Sequence, residues 1–128
     1  MVGMVVVSHS KLLAEGVVEV ARMMANEVPI AAAGGLDDGS PGTSFRKIIA
    51  AVQKVHSKDG VAILIDVGSA FLTSEMAIET LKLGNVKILD CPLVEGAIVA
   101  AVASRCGNSL KEIIAKVDES RKFKKIES

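Results

Sequence analysis

Apolar positions along this chain come in two rhythms, short solid runs and stripes repeating every three or four residues, and their order predicts the fold. Residues 4–8 form a β-branched run, and Leu12, Leu13, Gly16, Val17, Val20, Ala21 and Met24 then recur at helical spacing. Pro29 restarts the chain into a second apolar run over 30–33, followed by a loop over 34–44 too rich in Gly, Asp and Ser to pack as an element. Phe45, Ile48, Ile49, Val52 and Val55 make the next helical stripe, with Ser44 as its N-cap. Gly60 opens residues 61–67, apolar on both faces as a central parallel strand is. Thr73, Ser74 and Glu75 supply caps and a first-turn acid for a helix running to Leu83, and Gly84 and Asn85 turn the chain into a fourth strand over 86–91. Beyond Pro92, residues 93–105 read as a helix apolar on nearly every side and closed by Gly107. Ser109 with Glu112 is a capping-box signal for a last helix ending near Ser120. Residues 122–126 read as either a short antiparallel edge strand or a frayed end. Strand and helix alternate without repeat or linker. The expected fold is therefore one α/β domain over 1–128, an open, mostly parallel sheet in the order 2-1-3-4 with helices on both faces and right-handed crossovers.

Composition narrows the functional classes. Half of the residues are apolar, yet the aromatic side chains amount to three Phe, so the core must be aliphatic. Fifteen Lys and Arg balance fifteen Asp and Glu, which leaves neither a basic field nor stacking platforms for nucleic acid. The basic surplus is confined to residues 111–128, with six basic against four acidic groups. No apolar run approaches the ~18 residues of a membrane span, and the apolar start lacks the positive flank and cleavage site of a signal peptide. A cytoplasmic protein with no membrane partner is expected. Cys91 and Cys106 have neither bridge nor metal spacing, so both are expected as small core hydrophobes.

In open parallel sheets, ligands bind beyond the carboxyl ends of the strands where strand order reverses. With the order 2-1-3-4, that rule brings His9, after the first strand, opposite Asp66, at the end of the third. His9 falls in the first turn of a helix, where unpaired backbone N–H groups and the dipole favour an anion. An Asp holding one ring N–H fixes the tautomer and frees the other nitrogen as a nucleophile. A histidine in a surface turn otherwise serves as a solvated or capping side chain, but an acid closing a wholly apolar strand needs a partner. The loop over 35–44 has the glycines and hydroxyls that wrap an anion, yet no lysine follows Gly42, so it is not a nucleotide-triphosphate loop. Ser10, Gly35, Thr43, Gly68 and Ser69 are the candidate phosphoryl cradle around a catalytic pair of His9 and Asp66. His56, closing the second helical stripe, reads as a partner of that helix's C-terminal dipole. A receiver domain needs an acidic pair after the first strand, a flavoprotein needs aromatic rings over the cofactor, and a serine hydrolase needs a G-x-S-x-G elbow. None of these is present in the sequence, and a histidine phosphoryl acceptor fits best.

The segments 5–16, 33–38 with Gly42 and Thr43, 65–70 and 92–96, in that order, resemble the phosphotransferase subunit of the phosphoenolpyruvate-dependent dihydroxyacetone kinase, whose first domain is similar to the mannose-type enzyme IIA fold. The resemblance implies a relay. The carrier protein HPr gives its phosphoryl group to His9, and the subunit passes it to ADP on the nucleotide-binding subunit of the kinase, with Nε2 as the phosphorylated atom. It implies no cofactor on this chain, ADP and ATP residing on the partner, and a homodimer. Two features depart from the pattern. Some relatives carry HPr-like and enzyme-I-like domains on the same chain, so a separate carrier is expected here, and Pro41 stands where a branched apolar residue is expected. The competing expectations are a mannose-type enzyme IIA handing phosphate to a IIB component of a sugar transporter, and a regulatory acceptor that only docks.

Overall fold

The computed structural model describes residues 1–127. The elements follow as β1 (Gly3–Ser8), α1 (Lys11–Met24), β2 (Ile30–Gly34), α2 (Phe45–Val55), β3 (Val61–Ile65), α3 (Ser69–Leu81), β4 (Val86–Leu89), α4 (Leu93–Arg105) and α5 (Leu110–Ser120). All four strands are parallel, in the order β2-β1-β3-β4. The expected sheet is the observed one. The chain leaves β1 for one side of the sheet and returns to the other, so the reversal of strand order lies between β1 and β3.

Strand periodicity sorts the core into two layers. Met4, Val6, Ala62 and Leu64 point to the face covered by α1, α4 and α5, while Val5, Val7, Val61 and Ile63 point to the face covered by α2 and α3. Register makes these layers continuous, since Val5 lies beside both Ala31 and Ile63, and Met4 beside both Ile30 and Ala62. With both faces buried, alternation between apolar and polar is lost in β1 and β3, which explains their solid apolar runs. Gly34 ends β2 where the chain touches the next element. A Cβ there would stand 2.6 Å from the Ser10 carbonyl oxygen and 2.7 Å from Ala14 Cβ, so glycine lets β2 close against the start of α1.

Several expectations are corrected. The stripe of α1 is rotated: Ala14, Val17, Val18 and Ala21 are buried, whereas Leu12 is 82% exposed and Leu13, Val20 and Met24 also face out. The short Ala14 and Ala21 let the helix lie close on the sheet, and the larger side chains remain outside. α3 begins at Ser69, not at Thr73, because the Val67 and Gly68 carbonyls already accept the Ala70 and Phe71 N–H groups at 3.0 Å each. Thr73, Ser74 and Glu75 therefore lie inside the helix, which ends at Leu81 with Lys82 in the left-handed region (φ 55) rather than at Leu83. Residues 122–126 form turns and bends, not a strand. Cys106 is exposed, contrary to its expected burial. Cys91 is half-buried, and burial first, then the neighbouring Asp90 carboxylate, pushes its thiol up to about 11. Among the described residues no helix is long and apolar enough to cross a membrane.

Candidate functional site

At the reversal point the ends of β1 and β3 are locked together: Val7 pairs with Ile65, and the Asp66 N–H donates to the Val7 carbonyl at 3.1 Å. His9 and Asp66 each follow their strand's last paired residues, and the register alone brings them face to face. The Asp66 carboxylate accepts four hydrogen bonds, from the His9 backbone N–H (2.9 Å), His9 Nδ1 (3.0 Å), the Val67 N–H (2.7 Å) and the Ser8 hydroxyl (3.0 Å). Its side chain is 12% exposed and that of His9 32%. Burial raises the Asp66 pKa, but the bonds from the His9 N–H, the His9 ring, Val67 and Ser8 together outweigh it and hold the carboxyl below its ordinary value. Asp66 is thus an ionised acceptor, and His9 Nδ1 must be the donor. That leaves Nε2 with its lone pair, which accepts from the Ser69 hydroxyl at 2.7 Å.

Ser69 is the first residue of α3, so Nε2 faces the start of this 13-residue helix. The expectation placed His9 in the first turn of α1. The structure places it one residue ahead of that helix's N-cap, Ser10, whose hydroxyl accepts from the Leu13 N–H at 3.1 Å. Ser10 is therefore engaged in capping α1, and its own N–H donates to the Ser8 hydroxyl at 2.9 Å. At the α3 end, Gly68 is an N-cap without a side chain, with open space where a Cβ would stand. Among the described residues neither the Gly68 nor the Ser69 N–H has a backbone acceptor. A hydroxyl and two N–H donors at a helix start, beside an available imidazole nitrogen, form a receptacle for a small anion.

Gly35 and Thr43 lie on the other wall. They form an isolated parallel bridge, and the Gly35 N–H donates to the Ser8 carbonyl at 3.1 Å. Between them the loop turns so that the Gly42 N–H reaches the His9 carbonyl at 2.8 Å. Gly42 has φ 144, and a Cβ there would meet Leu36 at 2.8 Å, so the latch requires glycine. Pro41 is exposed and lies within the bend over 39–42 that carries the chain to Thr43. His56 is the C-cap of α2, and its Nε2 bonds the Asn85 side chain at 2.9 Å, a tie between loops rather than a free dipole partner. Two polar residues at the site escaped the sequence reading. Ser8 supports Asp66, and a serine ending an apolar strand was a readable signal, since a buried hydroxyl needs a partner. Thr73, whose hydroxyl meets that of Thr43 at 2.9 Å, had no such signal.

His9 stands on an open surface. A cleft of about 740 Å³ runs along the free edge of β2 between α1 and α2, and its walls include none of His9, Asp66 or Ser69. Around the carboxyl ends of the strands, Leu12, Leu13, Leu36, Val67, Phe71 and Leu72 are exposed. Among the described residues no group of three or more His, Cys, Asp or Glu is placed to hold a metal.

Comparison with known proteins agrees with this fold. The family model EIIA-man, described as the PTS system fructose IIA component, matches residues 3–117. The phosphoryl donor subunit DhaM of the PEP-dependent dihydroxyacetone kinase of Escherichia coli is 39% identical over 89% of the chain. The corresponding subunit of kinase 2 of Listeria innocua is 37% identical over 89% of the chain and 94% of its own length. The chain spans about a quarter of the length of the E. coli subunit, 26%. A solved structure described as the unknown-function protein EF1359 superposes with a TM-score of 0.84 at 31% identity, covering 99% of this chain and 100% of that one.

Proposed function

From the premise that the chain belongs to the EIIA-man family of phosphotransferase-system IIA components, we propose that it is a phosphoryl carrier of a dihydroxyacetone kinase, taking a phosphoryl group from HPr on His9 Nε2 and passing it to ADP held on the kinase's nucleotide-binding subunit. One observation carries this reading: Nδ1 is held by an ionised Asp66 while Nε2 faces a helix start bearing a hydroxyl. In the first step the Nε2 lone pair attacks phosphorus, the N–P bond of the donor breaks, and its electron pair returns to the donor's imidazole. The Ser69 hydroxyl leaves Nε2 and turns to donate to a phosphoryl oxygen, joined by the Gly68 and Ser69 N–H groups. Asp66 keeps the Nδ1 proton in place and balances the positive charge that the ring gains. In the second step a β-phosphate oxygen of ADP attacks the same phosphorus, the N–P bond breaks, and Nε2 recovers its lone pair. No cofactor is needed on this chain, and the nucleotide stays on the partner.

Donors and acceptors that are proteins fit the site, because His9 is partly exposed and Leu12, Leu36, Val67, Phe71 and Leu72, on the segments that follow the strands' carboxyl ends, are exposed apolar side chains of the kind found in interface cores. Relatives named as phosphoryl donor subunits of dihydroxyacetone kinases support the kinase branch over delivery to a IIB component of a sugar transporter. The test follows the phosphoryl group. With phosphoenolpyruvate, enzyme I and HPr, the parent protein becomes labelled and His9→Ala does not. Labelled protein mixed with the ADP-loaded kinase subunit yields ATP. Unchanged labelling of His9→Ala defeats the acceptor role, and discharge to a IIB component but not to ADP moves the protein to the transport branch.

A further inference from the structure

One contact near His9 has no part in the relay. The hydroxyls of Thr43 and Thr73 meet at 2.9 Å across the gap between the loop after β2 and α3. Both side chains are half-buried. Each stands next to a group that grips His9. Gly42, one residue before Thr43, holds the His9 carbonyl through its N–H at 2.8 Å. Ser69, one helical turn before Thr73 and on the same face of α3, holds His9 Nε2 at 2.7 Å. The loop itself is pinned on both sides of Thr43, by the Gly35–Thr43 bridge and by Ser44, which caps α2 and donates to Asp37 at 2.6 Å. The start of α3 is not pinned in this way, since its N-cap is a glycine with no side-chain bond.

We propose that Thr73 is a positioning residue: its bond to Thr43 ties α3 to the pinned loop and fixes how far the Ser69 end of the helix stands from His9 Nε2. The requirement is geometric. His9 is held from behind by the loop and from the front by α3, and a phosphoryl group must enter between Nε2 and Ser69 without losing the donors at the helix start. If α3 drifts outward, the hydroxyl and N–H donors no longer reach the phosphoryl oxygens; if it moves inward, no space remains for phosphorus. A hydroxyl pair can bridge the two walls at one separation, and a methyl in place of either hydroxyl cannot bridge them at all.

The inference rests on the phosphoryl-carrier reading, so its test is run beside His9→Ala in the same assay with phosphorylated HPr as donor. Thr73→Val and Thr43→Val keep the shape and remove the bond. Each is expected to lower the rate of His9 labelling at saturating donor about fivefold, the size of one hydrogen bond, with the KM for the donor unchanged. The double variant is expected to be no slower than either single one, because both remove the same bond. Thr73→Ser, which retains the hydroxyl, is expected to recover the parent rate. Parent-like saturated rates in both valine variants overturn the proposal, as does an additive loss in the double variant or a Thr73→Ser protein as slow as Thr73→Val. A structural role alone lowers the melting temperature and leaves the saturated rate unchanged. Should Thr73→Val fail to fold, Thr43→Val on the loop breaks the same bond. Labelling that survives in His9→Ala defeats the carrier reading itself; its loss there, with full rates in the valine variants, defeats only the role of Thr73.

Discussion

At the scale of single residues, the site is an arrangement for making one imidazole nitrogen donate and the other accept. Asp66 alone decides this, because it remains ionised against the cost of burial. Asp66→Asn is expected to retain the fold and to slow phosphoryl transfer about tenfold or more, since the amide can present either a donor or an acceptor to Nδ1 and no longer fixes the tautomer. A transfer time course at matched protein concentration reads this out, and a parent-like rate would remove the orienting role. The same carboxylate has a consequence for stability. Its folded pKa lies below the 3.8 of the free group, so its contribution is complete above that value and fades as pH falls through the lower folded pKa. Below pH 3.8 the unfolded chain binds a proton that the folded protein does not, and stability must rise with pH there. Thermal melts across the acid range are expected to be steeper for the parent than for Asp66→Asn, and equal slopes would contradict the bonding seen around Asp66. His9, Asp66 and Ser69 were legible in the sequence because each follows or closes an apolar strand, where a polar residue is conspicuous. Thr73 was not legible, since within a run of Thr, Ser and Glu it has the appearance of a helix cap.

At the scale of elements, glycine and alanine determine how closely the pieces approach. Gly34 is the clearest case: Ala at this position places a methyl within 2.6 Å of the Ser10 carbonyl oxygen and 2.9 Å of Lys11 Cα, backbone atoms that cannot turn aside. Gly34→Ala is expected to cost about 1–3 kcal/mol and to move the start of α1, on which His9 depends, so denaturant titration should show the loss together with slower labelling. An unchanged midpoint would mean that β2 can retreat freely. Strand order and the boundaries of α2, α4 and α5 could be read from hydrophobic rhythm and caps, since Ser44 and Ser109 both bond the backbone three residues on. The rotation of α1 could not. Its large apolar residues, Leu12, Leu13, Val20 and Met24, outcompete Ala14 in any hydrophobicity pattern, while the sheet surface accepts the small side chain. The early start of α3 was hidden for a different reason, because glycine at an N-cap leaves no capping side chain to recognise.

At the scale of the whole molecule, an aliphatic, aromatic-poor chain with a partly exposed histidine at its sheet's reversal point is suited to a cargo carried between proteins. Leu12, Leu36, Val67, Phe71 and Leu72 are exposed on the segments that follow the carboxyl ends of the strands, as His9 does, and a charge placed among them should repel partners without disturbing the core. Leu72→Asp, at a position 65% exposed, is expected to raise the KM for phosphorylated HPr about tenfold with an unchanged melting temperature. An unchanged KM would show that the partner docks elsewhere. One bond, between His9 Nε2 and phosphorus, underlies all of these. Long-range proton–nitrogen NMR of the phosphorylated, nitrogen-labelled protein locates the phosphoryl group on the His9 ring directly. The expected spectrum shows phosphorus coupled to Nε2 and a protonated Nδ1, and a phosphoryl group on Nδ1, or on a residue other than His9, would contradict it.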